Sequence, residues 1–148
     1  MSSVASSRSM GTKTNWGRVA LAGLAAIFAA IAVNVPIYFV GRAFVAYNPE
    51  FAPLADVIVT VITTTIYTAA AALVYALVLH FSRNPVRTYL IVAVIALVVT
   101  LIPDFTYIPT ERGSSAGQTA ILVLMHILPA PVIVYLLTTL AHPRRVQG

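Results

Sequence analysis

Four apolar runs separated by short polar stretches dominate the chain. They are VALAGLAAIFAAIAVNVPIYFV (19–40), VIVTVITTTIYTAAAALVYALVL (57–79), TYLIVAVIALVVTLI (88–102) and TAILVLMHILPAPVIVYLLTTLA (119–141). A hydrocarbon layer of roughly 30 Å takes about 20 apolar residues at 1.5 Å rise each. The pattern predicts an all-α integral membrane four-helix bundle with spans at about 19–40, 57–79, 88–102 and 119–141, the third being the shortest. Residues 1–17 and 143–148 are expected as tails flanking a transmembrane domain at 18–142.

The boundaries carry chemical signals of their own. Asp56 precedes the second run, where a carboxylate suits the free N–H groups and the helix dipole. Asn84-Pro85 breaks the chain after the second run, and Pro103-Asp104 is expected to stop the third. Ser115 and Gln118 form an S-x-x-Q capping box that would start the last helix near Ala116. Inside that helix, Pro129 and Pro131 remove the donors to the carbonyls of Met125 and Ile127, so a kink is expected there; Pro36 does the same to Ala32. Carbonyls freed in lipid must be satisfied again by neighbouring helices, hydroxyls or water.

Composition sharpens the picture. The chain is 59% hydrophobic and 9% charged, with a mean hydropathy of +0.92 and no cysteine. A soluble domain needs about a quarter of its residues charged, so lipid is the main solvent here. Without cysteine, disulfides, thiolate catalysis and Cys-based metal sites are excluded. The net charge of +5 forms no basic stripe, so nucleic acid is not an expected partner. Arg8, Lys13 and Arg18 precede the first run, Arg83 and Arg87 lie between the second and third, and Arg144 and Arg145 follow the fourth. Arg42 and Arg112 fall on the other side with all the acids, Glu50, Asp56, Asp104 and Glu111. The positive-inside rule then places both termini in the cytoplasm.

The basic start and the Ala30-Ile31-Ala32 triplet resemble a signal peptide, but the apolar run continues to Val40, longer than a signal core. The Ser-rich, acid-free first 15 residues faintly resemble a transit peptide and read better as a disordered cytoplasmic tail. Phe44, Tyr47 and Phe51, in the segment joining the first two spans, suit the membrane–water interface of an anchored loop. No repeat of the first helix pair recurs in the second, which gives inverted-repeat transporters little support.

Depth can be counted from the span ends. Asn34, Thr63 to Thr65 and His126 all fall roughly 10 Å inside the outer boundary, with Thr100 slightly shallower. Ala22, Ala26, Ala30 and Asn34 form an i+4 row on the first helix; Thr60, Thr64, Thr68, Ala72 and Ala76 form one on the second. Small residues at that spacing let helix backbones approach closely, so both rows are expected to face the bundle interior.

His126 can serve as a proton relay, a ligand contact or a quinone-type hydrogen-bond donor, because ionisable groups inside membranes are functional candidates. It can equally be a neutral imidazole bonded to Asn34, a threonine or a freed carbonyl. A neutral ring costs far less to bury than a charge, so the structural reading is the expectation. No second His, Asp or Glu is expected at its depth, and His80 and His142 lie at the cytoplasmic end, so no metal site is expected. Asp104, Glu111 and Arg112 read as a solvated cluster. Tyr67 and Tyr75 read as packing residues with satisfied hydroxyls. Ser82, Ser114 and Ser115 lie in loops, which leaves no hydrolase pair, and no glycine-rich phosphate cradle is present.

AGLAAIFAAIAVNVPIYFVGRAF, VVTLIPDF and TAILVLMHILPA together resemble the small four-helix bacterial membrane proteins grouped as domain of unknown function 6069. The resemblance runs from Arg18 to Leu140 and is most specific at Leu124-Met125-His126; the prolines at 129 and 131 depart from the pattern. It implies the topology and no mechanism. The expected role is a non-enzymatic accessory or structural subunit of the bacterial inner membrane, without a cofactor, embedded in lipid and packing against itself or a larger complex. The alternative is a small transporter or ligand-binding module with an outer-leaflet pocket of His126, Asn34, Thr64 and Thr100.

Overall fold

The computed structural model describes residues 15–141. Expectations for the tails at 1–14 and 142–148, His142 included, lie outside them. The described chain is helical, without strands: α1 (Trp16–Phe44), α2 (Val57–Phe81), α3 (Pro85–Thr106), α4 (Ala116–Ile127) and α5 (Pro129–Leu140), with short 3-10 turns at Ala52–Leu54 and Ile108–Thr110. Four stretches are long and apolar enough to cross a bilayer, α4 and α5 together making the fourth. Turn composition and hydrophobic run length therefore give an integral membrane bundle of four spans.

The caps explain most boundaries. Asn15 accepts from the Arg18 N–H and starts α1 three residues before the apolar run. The Asp56 carboxylate accepts from the Ile58 N–H at 2.8 Å, so α2 begins where the sequence places it. Pro85 opens α3, where its missing N–H leaves no bond unmade. The Ser115 hydroxyl oxygen accepts from the Gln118 N–H at 3.3 Å and starts α4 at Ala116. The Gln118 side chain does not reach back to the backbone; its Oε1 accepts from the Ser115 hydroxyl instead.

Proline behaves in three ways along the chain. Pro36 sits inside an unbroken α1. Pro103 does not stop α3, contrary to expectation: the Tyr107 N–H still reaches the Pro103 carbonyl at 2.9 Å, so the helix runs on to Thr106. Only the last span breaks. Pro129 cannot donate to Met125, the ladder ends at Leu128, and Pro129 becomes the first residue of α5.

α1 is the centre of the bundle, packing most extensively on α2 and on α5. Both small-residue rows face inward. Ala22, Ala26, Ala30 and Asn34 are buried, as are Thr60, Thr64 and Thr68, while Ala72 and Ala76 pack half-buried. A Cβ added to Gly23 would stand 3.2 Å from the Ala72 Cβ, which measures how closely the α1 and α2 backbones approach.

Two apolar clusters occupy opposite ends of this frame. One joins Val19, Ala22, Ala26, Tyr75, Tyr89 and Leu137. The other joins Tyr38, Phe51, Leu54, Ile108, Leu122 and Met125, and belongs to the end that carries all four acids. Phe51 is fully buried there rather than lying at an interface, because the Ala52–Leu54 turn folds the loop over the bundle as a plug. Phe44 remains exposed. Tyr67 is exposed, while Tyr75 is buried with a hydroxyl that has no partner. The expectation of satisfied tyrosine hydroxyls fails at Tyr75 because its neighbours are apolar and Tyr89 spends its own hydroxyl on the Ala71 carbonyl.

Candidate functional site

The polar residues singled out in the sequence form two pairs on different helix interfaces. On the α1–α2 interface, the Asn34 Nδ2 donates to the Thr64 hydroxyl oxygen at 2.9 Å, and both residues are buried. Asn34 Oδ1 and the neighbouring Thr60 hydroxyl lack partners. Thr63 and Thr65 point elsewhere and donate to carbonyls of their own helix, Val59 and Val61. Thr100 does likewise, donating to Leu97.

The second pair corrects the reading of His126. Its Nδ1 lies 3.1 Å from Asp104 Oδ2, with the histidine side chain 29% exposed and the aspartate 5%. Asp104 is therefore no solvated loop residue and makes no cluster with Glu111 and Arg112. The continuation of α3 past Pro103 carries it one helical turn beyond Thr100, onto the inward face and against α4. A second ionisable group does stand beside His126. The signal was available in the sequence: Thr100 and Asp104 are an i, i+4 pair, hidden only by taking Pro103 as a stop.

The hydrogen-bond geometry fixes the tautomer. Nδ1 also lies 2.9 Å from the Leu122 carbonyl, and a carbonyl can only accept, so Nδ1 carries the hydrogen. That bond uses a helix carbonyl one turn back, rather than one freed by the prolines. Asp104 Oδ2 sits off the N–H direction and receives no hydrogen bond, so it meets the ring as a charge contact. Nε2 is left as the basic nitrogen on a partly exposed ring.

Around this pair the loops close the acid-bearing end. The Tyr47 hydroxyl donates to the Tyr38 carbonyl at 3.0 Å, and burial pushes the Tyr47 phenol above its ordinary range, with nearby Arg42 opposing the rise. Arg42 donates to the Tyr38 hydroxyl. Gly113 adopts φ 72°, a left-handed turn that brings the Glu111–Ser115 loop against Asn48. Gln118, read in the sequence only as a capping residue, is buried with Nε2 unpartnered.

Residues 11–143 match the sequence profile of a family described as "Family of unknown function (DUF6069)". The chain belongs to that family. No curated protein and no solved structure matches it. In this DUF6069 chain, then, chemistry must be argued from the pair itself. One proton on Asp104–His126 gives a neutral dyad, either as acid with imidazole or as carboxylate with imidazolium. Removing that proton leaves one negative charge, and adding another leaves one positive charge. Among the described residues no three His, Asp or Glu side chains gather, so the pair is not extended into a metal-ligand set.

Proposed function

We propose that this DUF6069 protein is a non-enzymatic multi-pass protein of the bacterial inner membrane with both termini in the cytoplasm. Its working part is the Asp104–His126 pair, which takes up a proton or a hydrogen-bond-donating ligand in the outer leaflet. The observation that carries this reading is a carboxylate 5% exposed, 3.1 Å from an imidazole whose Nε2 stays available. Ionisable groups are expensive inside a bilayer, and a paired carboxylate and imidazole there mark proton or ligand pathways. Orientation rests on the segregation of Arg18, Arg83 and Arg87 from the four acids. Asn34 and Thr64 act in this reading as the polar clamp of the frame, with Thr100 on the helix that carries Asp104.

The test is nitrogen-15 histidine NMR in lipid nanodiscs, with signals assigned by substituting each histidine in turn. The His126 ring-nitrogen shifts should differ between the unaltered protein and Asp104→Asn at one pH, because the carboxylate stands against the ring. Identical His126 signals in the two proteins would sink the reading.

A second reading, an accessory subunit, draws on α3. It is the least buried of the four spans and exposes Leu90, Ile91, Val94, Ile95, Val98 and Val99 along its length. A partner helix would cover that face, so mild detergent extraction should recover a stoichiometric complex; a clean monomer would overturn it.

A further inference from the structure

At the end opposite the acids, an open groove of ≈ 490 Å³ runs along the last turns of α2 to the turn that joins it to α3. Its walls are apolar, from Val74, Leu77, Val78 and Phe81, and its mouth is polar, from Ser82, Arg83 and Thr88. The apolar stretch from Val74 to Phe81 spans two helical turns, roughly 10 Å along the bilayer normal. The polar mouth stands where headgroups would lie.

Three features of that mouth favour a phosphate. Arg83 has no carboxylate within reach among the described residues, because all four acids lie at the far end of the bundle. The Ser82 and Thr88 hydroxyls bond each other at 2.7 Å, and Ser82 Oγ also accepts from the Asn84 N–H. Two hydroxyl hydrogens with one mutual bond leave one O–H to donate outward. Finally, Asn84 makes no side-chain cap to α3, so the first-turn N–H groups of Val86 and Arg87 remain open to an anion.

We infer that this groove holds one anionic phospholipid, its phosphate on Arg83 and the Ser82–Thr88 hydroxyls and one acyl chain against Val74, Leu77, Val78 and Phe81. A guanidinium is suited to a phosphate oxygen pair, and the apolar walls disfavour a water-soluble anion in the lower part of the site. Arg87 is a neighbouring cation outside the groove, which makes it an internal control.

The full chain, delipidated and placed in nanodiscs, tests this through its melting temperature. Phosphatidylglycerol discs should raise it relative to phosphatidylcholine discs, while inorganic phosphate added to phosphatidylcholine discs should not. Arg83→Gln should lose most of the increment and Arg87→Gln should keep most of it. Leu77→Trp, which fills the groove, should lose it with Arg83 intact. Equal losses in Arg83→Gln and Arg87→Gln would show a general surface-charge effect and overturn the site, as would a full response to inorganic phosphate alone. Should Arg83→Gln misfold, co-purified lipid counted by native mass spectrometry in Leu77→Trp decides: unchanged retention overturns the site.

Discussion

A carboxylate held in a hydrocarbon layer needs a proton or a counter-charge, and the ring of His126 stands where it can supply either to Asp104. Removing one member should therefore hurt more than removing both. His126→Leu leaves Asp104 buried without its partner, at the low end of the ~3–5 kcal/mol typical of broken buried pairs because the imidazole is partly exposed. Adding Asp104→Leu should restore part of that loss. Reversible unfolding in mixed micelles measures both, and a double variant less stable than either single one would contradict the pairing. The Asn34–Thr64 bond is a different matter, since neutral interhelical hydrogen bonds in membranes average about 0.6 kcal/mol. It aligns α1 with α2 more than it holds them together; the small residues on either side supply the close packing.

At the scale of elements, what could be read from the chain divides by the range of the interaction. The four spans, the Asp56 and Ser115 caps and the inward rows of α1 and α2 are local matters of periodicity and capping, and the sequence carries them plainly. The proline effects are not local. Pro36 and Pro103 are absorbed while Pro129, with Pro131 close behind it, divides its span, although each of the three lacks the same backbone donor. That misplaced end of α3 is also why Asp104 could not be joined to His126 beforehand. Pro129→Ala would return an N–H able to reach the Met125 carbonyl. Spin labels at Ala116 and Leu140 should then move apart towards the ~36 Å expected of a straight helix of 25 residues. An unchanged distance would mean that packing, rather than the missing donor, sets the break.

For the whole molecule the decisive asymmetry is of charge. Every Asp and Glu lies on the Val45–Asp56 and Asp104–Ser115 side, and Arg18, Arg83 and Arg87 lie on the other. The chain has no cysteine of its own, so single cysteines introduced at Glu50 and Ser82 report sidedness without background. They should label from opposite faces of the membrane, Glu50 from outside and Ser82 from the cytoplasm. Labelling of both from one face would refute the four-span topology, and a reversed pattern would refute the orientation alone.

The break at Leu128 also has a mechanical meaning. α5 rests chiefly on α1, while α4 rests on α3 as well as α1. A continuous rod would carry any tilt of its outer half straight through to the opposite leaflet. Two rods meeting at a joint do not, so a tilt of α4 ends at Leu128 rather than passing into α5. α5 therefore keeps its seat on α1 whatever the angle at which α4 meets α3.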